Sequence, residues 1–188
     1  MAKSVNGVQD IVYALIIEDS KTGTTYGTVK ELAPAIQVAV ETASDSATQY
    51  ANNMPYDTDT ATGETTLNLE VPGLDPAVKR ELLGLSVDKG VTDYKTTAKA
   101  PYVAVGYKFT RGDGTEIHTW LLKGKFRIPN SEGTTKAEGV EFKTTSLDAT
   151  FITRESDGSF MREADTMEET YIDADTFFDA VPTTVVAP

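Results

Sequence analysis

Apolar and polar residues alternate with a period of two along several stretches of the chain, the pattern of strands with one buried face. The densest such stretch is residues 101–129, PYVAVGYKFTRGDGTEIHTWLLKGKFRIP. Val103, Val105, Tyr107 and Phe109 alternate with Ala104, Gly106, Lys108 and Thr110 in a first arm. In a second arm Trp120, Leu122, Phe126 and Ile128 fall on one face, and Thr119, Leu121, Lys123, Lys125 and Arg127 on the other. Between them Arg111-Gly112-Asp113-Gly114 supplies residues that tolerate positive φ, so the stretch predicts a β-hairpin with one apolar and one mostly polar face. The expected core is Val103, Val105, Tyr107, Phe109, Trp120, Leu122 and Phe126.

Other strands are weaker versions of the same pattern. Residues 10–18, DIVYALIIE, are apolar on both faces, which predicts a strand buried on both sides or pressed against a partner. Lys21-Thr22-Gly23-Thr24 reads as a turn. Ile36, Val38 and Val40 mark a further strand, and Leu67, Leu69 and Val71 another. Val140, Phe142 and Thr144 begin one that is expected to run, through a bulge near Ser146, to Thr153. One helix is predicted: Asp75 as N-cap, Pro76 in the first turn, Val78, Leu82 and Leu83 as its stripe, and Gly84 at its end. Residues 42–65, TASDSATQYANNMPYDTDTATGET, show no apolar period and predict a long loop. Tyr50, Met54 and Tyr56 within it suggest that the loop docks on something. Residues 86–100 and 130–138 predict further polar connections. There is no internal repeat.

Length and composition narrow this to one mainly β domain, 1–188, with an acidic C-terminal segment at 154–188. At 188 residues with 39% hydrophobic side chains the chain can bury one sizeable core. Its longest apolar run, Ile11–Ile17, is too short for a membrane-spanning helix. MAKSVNGVQD lacks the apolar stretch of a secretory signal, so the chain is expected to fold where it is made. With no cysteine there is neither disulfide nor thiolate. A net charge of −12 disfavours nucleic-acid binding. The charge is uneven: residues 101–129 carry five bases and two acids, residues 154–179 nine acids and two bases. Lys123, Lys125 and Arg127 thus form a basic face that could meet acidic segments of another subunit.

Catalytic chemistry finds little footing. The one histidine, His118, lies inside a predicted strand with no nucleophile elbow nearby, and no phosphate-cradling or zinc-binding motif is present. Asp57-Thr58-Asp59 with Gly63 and Glu64 departs from a calcium loop in its glycine, its third acid and its closing glutamate. Arg111-Gly112-Asp113 has the composition that any hairpin turn demands. No enzyme activity, cofactor or metal is expected.

Taken in order, a set of short motifs resembles the major tail protein, or tail tube protein, of long non-contractile-tailed bacteriophages. The motifs are Tyr50-Ala51-Asn52-Asn53, Leu82-Leu83-Gly84, Pro101-Tyr102-Val103-Ala104-Val105-Gly106, and Trp120-Leu121-Leu122-Lys123-Gly124-Lys125-Phe126 with Pro129. Thr134-Thr135-Lys136 and Phe177-Phe178 to Val181 complete it. Asn52 and Asn53 stand where the family more often has an acidic residue. The resemblance implies a β-sandwich or barrel-like tail tube fold with one flanking helix, and homohexameric rings stacked into a tube. DNA would pass through the bore without specific binding. It also implies tape measure, tail terminator or tail tip proteins as partners, and a place in the virion tail after assembly in the host cytoplasm. Subunit contacts would then fall on Tyr50, Met54 and Tyr56, on Lys123, Lys125 and Arg127, and on Phe177 and Phe178. The rival reading is a monomeric β-sandwich module that binds carbohydrate or protein through Tyr50, Tyr56 and Tyr102.

Overall fold

A computed structural model describes residues 4–130, 144–168, 170, 171 and 176–183. In chain order the elements are β1 (Val5–Ser20), β2 (Gly23–Tyr26), β3 (Lys30–Ala33), β4 (Gln37–Ala51), β5 (Met54–Val71), α1 (Pro76–Leu83), β6 (Ser86–Asp88), β7 (Val91–Asp93), β8 (Val103–Arg111), β9 (Glu116–Phe126), β10 (Thr145–Phe151) and β11 (Met161–Asp165). One nine-stranded antiparallel sheet runs β2-β1-β8-β9-β10-β5-β4, with β3 on β1 and β11 on β9. β6 and β7 pair separately. The fold is mainly β, and the sheet curls into a half-barrel.

The helix forms where its capping residues place it. Asp75 accepts a hydrogen bond from Ala77 N at 2.6 Å, and Gly84 ends the helix at φ +64° with its N–H turned back to the last carbonyls. A side chain at Gly84 would strike Lys99 O as well as strain the backbone, so the stop is fixed twice over. Leu82 and Leu83 then plug the hollow of the half-barrel against Ile11, Tyr13, Leu67, Leu69, Val103, Val105, Leu121, Leu147 and Phe151.

A second, smaller cluster covers the opposite face of the central strands: Ala14, Ala104, Trp120, Leu122 and Val181, with Val12, Tyr26, Val29, Phe177 and Phe178 packed on it. β1 is therefore buried on both sides, Ile11 and Tyr13 toward one cluster and Val12 and Ala14 toward the other. The same holds for β8 and β9, and it corrects the expectation of one greasy and one wet face. Thr119, Leu121 and Lys123 are buried, as are Trp120 and Leu122. The face set also splits: Trp120 and Leu122 lie in the second cluster, Phe126 in the first. The cause is a β-bulge, since Val103 pairs with Gly124 but Val105 with Leu121, one extra residue on β9. Ile128 lies beyond the strand and is exposed. Val103, Val105, Tyr107, Trp120, Leu122 and Phe126 are buried, while Phe109 is partly so, edge-on to Tyr107 at 5.1 Å.

Two connections are more ordered than their composition suggests. Residues 42–65 are not a loop but the outer part of a long hairpin, β4 and β5, paired up to Ala51 and Met54. Residues 86–100 contain the small β6–β7 hairpin. β10 pairs with β5 without interruption from Thr145 to Phe151, so there is no bulge at Ser146. Val140, Phe142 and the Thr134-Thr135-Lys136 motif lie outside the described residues.

Candidate assembly surface

The β4–β5 hairpin begins as part of the sheet and ends as an arm. Its base is anchored by Val38, Val40, Leu67, Leu69 and Val71, which pack on the main core. The last residue of β5 to pair with β10 is Thr65, which is buried and shares a 3.0 Å hydroxyl contact with Thr42. Immediately beyond, the register slips by one on β5 between the Thr42 and Ser44 pairings, a bulge at the point where the ribbon leaves the sheet. From there both strands are exposed on both faces, and neither outer edge carries a third strand among the described residues. At roughly 3.3 Å per residue the ten residues from Thr42 to Ala51 carry the arm about 30 Å.

What holds the arm in register is polar. Ser44 faces Thr62, Ser46 faces Thr60 and Thr48 faces Thr58, hydroxyl rows on β-branched or small residues that suit a ribbon with no core. The tip is a two-residue turn in which Asn52 and Asn53 both take positive φ, +52° and +60°. That is the hairpin turn whose twist matches the strands, and asparagine is the residue other than glycine that adopts it most readily. Flanking the turn are Tyr50, Met54 and Tyr56, each about two-thirds exposed or more. Glu41, Asp45, Asp57, Asp59 and Glu64 run along the arm, and residues 41–64 contain no lysine or arginine.

The basic residues of β9 are placed quite differently from a free charged face. Lys123 is buried, and its Nζ donates to Asp19 at 2.5 Å. Burial pushes the Asp19 carboxyl up, but hydrogen bonds from Lys123, Thr24 and the Glu155 backbone outweigh it and hold the group below its usual value. Lys123 and Lys125 both lie over the Tyr102 ring, at 5.1 and 4.1 Å from its centre. Arg127, past the end of β9, donates to Thr150 and borders an open cleft of about 620 Å³ of mixed polar and apolar lining, with Asn68, Asp148 and Glu41 among its polar residues. The structure thus keeps Lys123 for an internal ion pair and leaves Lys125 and Arg127 nearer the surface.

Phe177 and Phe178 serve to seat the C-terminal segment on the second cluster. Trp120 Nε1 donates to Phe177 O at 3.0 Å, and the Phe178 ring lies 5.8 Å from Trp120 and 5.1 Å from His118. His118 is buried, with its Nε2 hydrogen-bonded to Glu116 at 2.9 Å and its Nδ1 to the Tyr171 hydroxyl at 2.8 Å. Farther along, Arg154 is wholly buried, paired with Asp157 at 2.6 and 2.7 Å, and donates to the carbonyls of Pro182 and Thr183. Arg111 is likewise spent on Asp165, so the Arg-Gly-Asp tripeptide does not present its guanidinium at the turn.

No protein-family model matches this chain, and no curated protein matches it in sequence. Among solved structures it is similar to the anti-feeding prophage cap, a tube terminating cap. The two are 8% identical over 87% of this chain and 93% of that one, with a TM-score of 0.49. A likeness this loose carries no statement about what the chain does.

The apolar pattern of the sequence does not mark the arm, although Tyr50, Met54 and Tyr56 point to its tip. Two signals were present: the Asn-Asn pair, a weaker form of the hairpin dipeptides, and the run of threonines on either side of it. The Arg154–Asp157 clamp left no comparable signal, because nothing in an acidic segment marks which arginine is buried.

Proposed function

We propose that the chain is a structural subunit of a bacteriophage-type tail, polymerising as stacked hexameric rings around a bore through which DNA passes. The observation that supports this most is the arm. A two-stranded ribbon with both faces wet and both edges open is marginal by itself, and it gains its stability when another surface covers it. Its tip offers three large side chains whose burial would contribute roughly 1.5–3 kcal/mol each. β4 is also a 15-residue strand without proline or lysine, at the edge of the sheet among the described residues and so open to pairing with a neighbour.

The hexameric number, the stacking and the tape measure and terminator partners come from the sequence resemblance. The charge is compatible with a conduit: at −12 per subunit, carboxylates facing the bore would repel phosphates and let a duplex slide. The three tyrosines of the rival binding-module reading sit in two separate places, Tyr50 and Tyr56 at the arm's tip and Tyr102, just before β8, under Lys123 and Lys125. Sedimentation velocity over a range of concentrations tests the proposal. A tail subunit gives species that grow with concentration into rings or longer polymers, and a single slow monomer boundary throughout contradicts it.

A further inference from the structure

On the side of the molecule where α1 meets the end of β9, an apolar groove of about 240 Å³ opens to solvent, lined chiefly by Leu83, Leu85, Tyr94, Ala98, Phe126 and Ile128. It has room for one or two side chains rather than for an extended small-molecule ligand. Tyr94 and Ile128 stand at its rim about half exposed or more, large apolar groups that the monomer leaves in water. One base, Lys95, lies in the wall itself, 3.4 Å from Asp93, and the segment that supplies most of the wall is basic in sequence. Residues 79–99 contain Lys79, Arg80, Lys89, Lys95 and Lys99 against Glu81, Asp88 and Asp93. Lys79 lies 5.7 Å from the centre of the Tyr94 ring, and Lys95, Lys89 and Lys99 are exposed.

We infer that this groove receives the tip of the arm from a second copy of the chain. The inference rests on the proposed assembly and names the socket for it. Plug and socket match in three respects. The tip carries Tyr50, Met54 and Tyr56, side chains of a size to enter a groove walled by leucine, phenylalanine and isoleucine. The tyrosine hydroxyls can stay at a wet rim. The arm behind the tip has five acids and no base, whereas residues 79–99, which supply most of the groove's wall, hold five bases and three acids, so the approach is attractive and the docking of two arms on each other is repulsive. Plug and socket are different patches, so in a head-to-tail contact each copy uses both and the contact repeats from subunit to subunit.

The absence of cysteine makes a direct test clean. Tyr56→Cys and Ile128→Cys subunits are mixed at a concentration where the wild type assembles, then treated with a short thiol-reactive bismaleimide. Tyr56→Cys mixed with Lys21→Cys, in the exposed β1–β2 turn at the opposite edge of the sheet, is the control. The docking requires a cross-linked dimer several-fold above the control, and a ladder of multimers from a chain carrying both Tyr56→Cys and Ile128→Cys. It requires also that Lys95→Glu with Lys99→Glu on the groove subunit lose most of the cross-link, and that Asp57→Lys with Asp59→Lys on the arm subunit restore it. A dimer yield equal to the control, or a double-cysteine chain bridged only within itself, overturns it. Sedimentation of the same samples separates the two levels: polymers without the cross-link overturn the socket and leave the stacked assembly standing, and monomers without it overturn both.

Discussion

Trp120 is closed in by the sheet on one side and by Phe178 on the other, with its indole nitrogen bonded to Phe177 O, so its truncation leaves a hole and an orphaned carbonyl together. Trp120→Ala is expected to cost about 3–5 kcal/mol, measurable by urea denaturation, and to loosen the C-terminal segment that rests on it. Lys123→Glu should be comparably damaging, about 3–5 kcal/mol, because it breaks a buried pair and sets a second carboxylate beside Asp19. That variant therefore reports on the subunit's stability and not on contacts between subunits. Acid should act through several such pairs. The bidentate Arg111 contact holds Asp165 at about 2 against an ordinary 3.8, and Arg154 holds Asp157 below its usual range in the same way. A depressed carboxyl contributes stability that is fully present above the unfolded value and lost as pH falls through the folded one. The urea midpoint should thus stay level down to about pH 4 and fall between there and pH 2. Asp165→Asn should lower the midpoint at neutral pH and flatten that fall.

At the scale of elements, the readable parts of the sequence were those whose signal is local. The helix announced itself through Asp75, Pro76 and Gly84, and the strands around Val38, Leu69 and Val105 through their alternation. The arm escaped because apolar periodicity exists only where one face is buried, and the arm buries neither. The facing of β9 escaped because a bulge is set by the partner's register, which no stretch of β9 encodes alone, and because a lysine in a strand reads as exposed unless its Asp19 is known. Since residues 44–63 add nothing to the core, replacing them with Asn-Gly should leave a subunit that folds with stability within about 1 kcal/mol of wild type. Its thermal melt and far-ultraviolet dichroism check the fold, and its sedimentation should show no assembly at concentrations where the wild type polymerises.

At the scale of the molecule, a half-barrel plugged by one helix supplies a rigid body, and the arm, the β4 edge and the apolar groove supply surfaces that one copy leaves unused. A subunit at −12 also repels its copies, so assembly is best sought at an ionic strength near 0.15 M, where the screening length is about 8 Å. The most direct measurement is electron microscopy of the concentrated wild-type protein under those conditions. Stacked rings with an open centre, absent from the arm-deleted variant, are the predicted result. Fields of isolated particles of single-subunit size at every concentration would contradict it.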